Sequence, residues 1–173
     1  MSLLQRFKAV TTFVLDVDGV LTDGSIWVME DGQQVRQMSI RDGYALQLAI
    51  KKGYRILVIS GANSPAVRLR LEKLGITDIY MQAADKVAIL QEYCTRHQVS
   101  TAEILYMGDD IPDYEVMAMA GVSCAPADAV GEIKHQAHYI SPLTGGKGCV
   151  REVIEKVMKL RGDWSIDTSV SSK

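Results

Sequence analysis

Thr12-Phe13-Val14-Leu15-Asp16-Val17-Asp18-Gly19, residues 12–19, is the stretch that decides the fold. Thr12 to Val17 reads as a strand buried on both faces, a short apolar run of strand length that stops at Gly19. Two aspartates at the end of such a strand are out of place in a core, so they mark the point where the chain leaves it.

Outward from this strand the same unit recurs. Asp42 is positioned to N-cap a helix through Lys52, closed by Gly53, and Ile56 to Ile59 is the next apolar run. Ser64-Pro65 opens a second helix that Gly75 stops. Asp78 to Met81, Ile104 to Met107, Val122 to Ala125 and His138 to Ile140 read as further strands. Between them, Asp85 to His97, Asp113 to Ala120 and Val130 to Gln136 read as helices, and Val150, Val153, Ile154 and Val157 trace the buried stripe of a last one. Strand and helix in alternation require right-handed crossovers and a parallel sheet covered on both faces. The expected fold is α/β, a doubly wound, Rossmann-like parallel sheet.

One segment departs from this rhythm. Ser25 to Met29 and Gln33 to Ile40, around Asp31-Gly32, read as a β-hairpin spanning about 25–40. Its apolar residues fall on both faces and a two-stranded ribbon is marginal alone, so it packs on its own domain or on another subunit. Residues 1–162 are expected to form one domain and 163–173 a flexible polar tail on which Trp164 is available to a neighbour.

The bulk numbers exclude several classes. The chain has 173 residues, 19 basic and 21 acidic, for a net charge of −2, so there is no basic footprint for nucleic acid. No apolar run approaches the roughly 20 residues that span a bilayer. Met1 to Val10 lacks the layout of a secretory signal, and Cys94, Cys124 and Cys149 form no CxxC pair. A cytoplasmic location and no membrane partner are expected.

In open parallel sheets, ligands bind beyond the carboxyl ends of the strands. Asp16-Val17-Asp18-Gly19, Ser60-Gly61, Lys86 and Gly108-Asp109-Asp110 all fall at or just after such ends. Asp16, Asp18 and Asp109 would repel one another without a cation, and an oxygen-only set suits Mg²⁺. A carboxylate can serve as nucleophile toward phosphorus while a second moves protons. Ser60 can donate to a phosphate oxygen, and Lys86 supplies positive charge for it.

These residues carry a resemblance. Asp16-Val17-Asp18-Gly19-Val20-Leu21-Thr22-Asp23 resembles the first motif, DxDxx[TV], of the haloacid dehalogenase superfamily; Ser60, Lys86 and Gly108-Asp109-Asp110-x-x-Asp113 are similar to its second, third and fourth. The resemblance implies that Asp16 is the nucleophile and Asp18 the acid/base. It places Mg²⁺ on the Asp16 and Asp109 side chains and the Asp18 carbonyl, with Asp110 and Asp113 orienting Lys86 or metal waters.

Between the motifs there is room only for the hairpin and core units, so no cap domain is expected. The hairpin, Ile40-Arg41-Asp42-Gly43 and the stretch from Gly145 to Glu152 resemble the capless subfamily acting on phosphorylated ketodeoxy sugar acids. That likeness implies a homotetramer built through the hairpins, with neighbours replacing the cap. It implies 3-deoxy-D-manno-octulosonate 8-phosphate as substrate, in making the acidic sugar of lipopolysaccharide. Many members acting on that eight-carbon acid read Gly-Arg after the second motif, where this chain has Gly61-Ala62, so the nine-carbon 3-deoxynononate (KDN) 9-phosphate is the rival. Arg41, Gly43, Gly61, Ala62, Lys147 and Arg151 are the candidate substrate contacts. Arg41-Asp42-Gly43 is equally readable as a turn with Asp42 as cap, Arg151 as the start of a helix, and the glycine loop as a linker. Two other classes compete: a receiver domain, which puts its acidic pair and phospho-acceptor on different strands, and a non-catalytic tetrameric scaffold, which would not need all three aspartates.

Overall fold

A computed structural model of the chain describes residues 1–171. Six parallel strands run in the order β5-β4-β1-β6-β7-β8: β1 is Thr12–Leu15, β4 Arg55–Ile59, β5 Asp78–Tyr80, β6 Ile104–Met107, β7 Val122–Ala125 and β8 Tyr139–Ile140. The strands β2 (Trp27–Val28) and β3 (Gln34–Val35) form a separate antiparallel ribbon. The expected doubly wound sheet with a projecting hairpin is the observed one.

Alternation along the strands sorts the core into two layers. Phe13 and Leu15 of β1, Ile56 and Val58 of β4, and Leu105 and Met107 of β6 face one side. There they meet helices α1 (Leu3–Ala9), α2 (Ile40–Lys51), α3 (Pro65–Lys73) and α7 (Cys149–Arg161). Val14, Leu57, Ile59, Ile104 and Tyr106 face the other side, against α4 (Lys86–His97), α5 (Tyr114–Met119) and α6 (Gly131–Gln136). Chain order reverses at β1, which pairs with β4 on one side and β6 on the other. The crevice for a ligand therefore opens beyond Leu15, at Asp16.

Local chemistry explains where the boundaries differ from expectation. Helix α1, absent from the sequence reading, starts on a capping box in which Ser2 and Gln5 satisfy each other's backbone N–H groups. Helix α2 begins at Ile40 because Ser39 is its cap, accepting from Asp42 N. Asp42 is not the cap; its buried carboxylate accepts from Arg151 N at 2.7 Å, at the start of α7. Desolvation pushes Asp42 up to about 6, against the pull of the Arg151 and Gly148 N–H groups and the Arg151 charge. The hairpin ladder is shorter than expected: beyond Val35 the chain turns inward, and Met38 bridges to Thr22 before α2 begins.

The described part of the expected flexible tail, residues 163–171, lies along α2. Asp167 pairs with Lys51 at 2.6 Å, and Tyr44 and Trp164 meet edge to face at 6.3 Å. No helix among the described residues is long and apolar enough to cross a membrane.

Candidate active site

The site is built on the kink after β1. Asp16 N donates to Met107 O at 3.1 Å, fixing the residue between β1 and β6. Val17–Leu21 then form a helical turn broken at Asp18 and Gly19. Gly19 has φ +83°, and a Cβ there would fall inside the Asp109 carboxylate. Only glycine fits both the backbone and the space. The Gly145-Gly146 loop backs this turn: Gly146 N donates to Val20 O at 2.9 Å, and a Cβ on Gly145 would overlap the Gly19 carbonyl. The glycines of the supposed linker are thus a buttress for the Asp16 turn.

Beneath Asp16 sits a buried charge network. Lys86 Nζ, at the first turn of α4, lies 3.0 Å from Asp16 Oδ1 and 2.7 Å from Asp113 Oδ1. Asp113, 1% exposed, also accepts from Tyr106 Oη at 2.7 Å and from Asp109 N at 3.1 Å. Burial and then Asp113 push Asp16 up to about 7, against the pull of Lys86. Burial, Asp113 and Asp110 do the same to Asp109, also to about 7. Burial draws Lys86 down, but Asp16 and Asp113 outweigh it and hold the ammonium above its ordinary value.

Three carboxylates thus face one ammonium, and oxygens of Asp16, Asp109 and Asp113 lie within 4.8 Å of one another. The set is oxygen-only and electron-rich, which fits a hard divalent cation. Both oxygens of Asp113 already accept hydrogen bonds, which leaves Asp16 and Asp109 as the carboxylates with capacity for the ion.

Asp16, Asp18, Ser60, Gly61, Ala62, Lys86, Asp109, Asp110 and Asp113 line one cleft of about 380 Å³. Ser60 Oγ accepts from Ala62 N at 3.2 Å, so its own proton remains for a ligand. Asp110 Oδ1 accepts from Ile111 N at 2.7 Å and caps the 3-10 turn Ile111–Asp113. A larger hollow of about 750 Å³ adjoins the cleft past Lys86, lined by Ile111, Pro112, Tyr114 and His135 among others.

Four of the candidate substrate contacts lie elsewhere. Arg41, Lys147 and Arg151 border a separate hollow of about 480 Å³. Arg151 is committed there: its guanidinium lies 5.4 Å from the Tyr44 ring centre and 5.6 Å from that of Trp164, and Nε pairs with Glu155. Gly43 packs α2 against α3, where a Cβ would stand 3.0 Å from Arg70 Nη2. Of the six, only Gly61 and Ala62 belong to the cleft.

The sequence reading missed one residue. Arg36, just after β3, sends Nε to Asp18 Oδ1 at 2.7 Å and Nη2 to Asp18 Oδ2 at 3.2 Å. The available signal was that Arg36 is the single basic residue between Ser25 and Ser39.

Fold and site together define a class, an aspartate-based hydrolase on a Rossmann-like core. Residues 64–153 match the family model of the haloacid dehalogenase-like hydrolases. A 3-deoxy-D-manno-octulosonate 8-phosphate phosphatase of Yersinia pestis is 34% identical over 155 residues, covering 90% of this chain and 83% of that protein. The phosphatase of the same name from Escherichia coli strain K12 is 31% identical over 159 residues, covering 92% and 85%. The crystal structure of the Moraxella catarrhalis phosphatase of that name, in complex with magnesium ion, phosphate ion and a KDO molecule, superposes with a TM-score of 0.89 at 31% identity, covering 92% of both chains. This chain belongs to the haloacid dehalogenase-like hydrolases, in the branch of the 3-deoxy-D-manno-octulosonate 8-phosphate phosphatases.

Proposed function

We propose that this protein hydrolyses 3-deoxy-D-manno-octulosonate 8-phosphate to the free sugar acid and phosphate, with Asp16 as nucleophile and Mg²⁺ as cofactor. The observation that carries the reading is the position of Asp16. It stands at the reversal point of the sheet, within 3.0 Å of the Lys86 ammonium, in the cleft that also holds Asp18, Ser60 and Asp109.

Asp16 and Asp109 side chains and the Asp18 carbonyl would hold the ion. When bound, Mg²⁺ lowers the repulsion between a carboxylate and an anionic phosphate and orients both. Asp16 attacks phosphorus, its new Oδ–P bond forming as the bond to the sugar's O8 breaks, and Asp18 gives O8 its proton. Water then attacks the aspartyl-phosphate, Asp18 takes the water's proton, and phosphate leaves with Asp16 restored. Ser60 and Lys86 donate to the phosphate oxygens throughout, and Asp113 with Tyr106 keeps Lys86 aimed.

The finer parts of the reading are the setting and the assembly. The product is the acidic sugar of lipopolysaccharide, made in the cytoplasm, and the working form is a homotetramer joined through the hairpins. Trp27 and Val28, 72% and 70% exposed, support that surface as the interface. Ala62 brings no guanidinium to the cleft, which keeps the nine-carbon homologue as the rival substrate.

Phosphate release from the eight-carbon and nine-carbon acid phosphates, beside hexose phosphates, tests this. The eight-carbon substrate is expected to lead by at least tenfold in kcat/KM, about 1.4 kcal/mol of transition-state discrimination. A lead by the nine-carbon acid would move the substrate and keep the chemistry; no turnover of any substrate with Mg²⁺ would leave the scaffold.

A further inference from the structure

The hairpin is exposed along its ladder, yet Arg36 at its inner end has a side chain only 6% exposed. Its fork meets both oxygens of Asp18, and Asp18 Oδ1 takes a third contact from Thr22 Oγ1 at 3.4 Å. The returning limb is pinned beside the Asp16 turn by the Thr22–Met38 bridge, so the guanidinium is delivered by a fixed strand. The remaining nitrogen, Arg36 Nη1, is buried with no partner.

A mere staple would not be built this way. Burying an arginine with an unsatisfied nitrogen is costly, and an apolar side chain would anchor the ribbon at less expense. A planar fork adds something a staple does not need: it fixes the plane and rotamer of the carboxylate it grips. With both Asp18 oxygens in the fork, the plane of the carboxylate is fixed beside the Asp16 turn.

We propose that Arg36 is a positioning residue for the second half of the reaction, orienting Asp18 to take the proton from the water that attacks the aspartyl-phosphate. This rests on the acid/base role assigned to Asp18 above. In that step the water oxygen bonds to phosphorus as the Asp16 Oδ–P bond breaks. The water proton passes to a lone pair of an Asp18 oxygen that the fork leaves free, while Arg36 keeps the carboxylate plane fixed. The hairpin thereby takes part in catalysis as well as projecting from the domain.

p-Nitrophenyl phosphate separates the two halves, because p-nitrophenolate departs without a proton and kcat/KM reports only the steps through its release. In Arg36→Gln, kcat is expected to fall by roughly tenfold to a hundredfold. KM should fall with it, kcat/KM should stay within about threefold, and a burst of p-nitrophenol should precede the slow phase. Arg36→Lys keeps the charge without the fork and should show the same pattern, with a smaller fall. Loss of kcat and kcat/KM together in both variants, or full recovery by lysine, or no change in kcat, would overturn the proposal. Asp18→Asn in the same assay guards the underlying reading. If Asp18→Asn keeps its kcat, the acid/base role itself is wrong; if it loses kcat while Arg36→Gln does not, only the role of Arg36 fails.

Discussion

The carboxyl edge of the sheet and the hairpin that projects beside it invert the usual distribution of residues in opposite ways. At the edge, charge is inside: the side chains of Lys86 and Asp113 are 7% and 1% exposed. On the hairpin, Ile26, Trp27, Val28, Met29 and Val35 stand in solvent. Neither arrangement lowers the free energy of an isolated chain. Buried charges must be paired and still pay for desolvation, while exposed apolar clusters gain nothing until something covers them. The contrast sets buried charge at the edge against an exposed apolar ribbon, for which association is the proposed role, with Arg36 as a contact between them.

If the edge is chemical, the largest effect belongs to Asp16→Asn, which should lower kcat by roughly 10⁴-fold or more while thermal stability stays near or above that of the parent. Stability is retained because the substitution removes a carboxylate held at about 7 by its surroundings. Comparable turnover in the variant would remove Asp16 from the reaction. Next comes Asp113→Asn, which removes the charge paired with Lys86 and sets an amide NH2 against the Asp109 N–H. A loss of about 3 kcal/mol is expected in urea unfolding, at the low end for a broken buried pair because Asp16 remains beside Lys86. An unchanged midpoint would make that network ornamental.

The cation gives a third, intermediate effect with a defined sign. Asp16 and Asp109 are raised from 3.8 to about 7, so across that window the metal-free folded protein keeps protons that the unfolded chain has released. These groups therefore favour folding most at acid pH, and their contribution declines as pH rises toward 7. Mg²⁺ competes with the same protons. Its addition should raise Tm by roughly 5–10 °C at about pH 8 with saturating metal, and by much less at about pH 5.5. Equal shifts at both pH values would place the ion elsewhere. The smallest effect on the chain itself is expected on the ribbon. Trp27→Glu with Val28→Glu should change the protomer's unfolding free energy by no more than about 0.5 kcal/mol, yet reduce the particle mass in light scattering. An unchanged mass would take the assembly off the hairpin.

How much was legible followed the same divide. The central strands Ile104–Met107 and Val122–Ala125 fall where the sequence places them, because a run buried on both faces has no alternative. Asp16, Asp18, Ser60, Lys86 and Asp109 meet in one cleft because each sits at a strand end or helix start. What escaped was set by tertiary contact. Ser39 rather than Asp42 caps α2, since only the fold shows Asp42 turned toward the N–H of Arg151. The pairing of Arg36 with Asp18 spans 18 residues and leaves no local pattern. The stacking of Arg151 on Tyr44 and Trp164 likewise joins residues far apart in the chain.

The covalent step on Asp16 can be caught by trapping its intermediate. The protein would be mixed with Mg²⁺ and 3-deoxy-D-manno-octulosonate 8-phosphate, quenched during turnover, reduced with borohydride and digested for mass spectrometry. An aspartyl-phosphate is reduced to homoserine, so homoserine is expected at position 16, absent without substrate and absent when chelator replaces Mg²⁺. Substrate consumed with Asp16 intact, or homoserine at Asp18 or Asp109 instead, would contradict it.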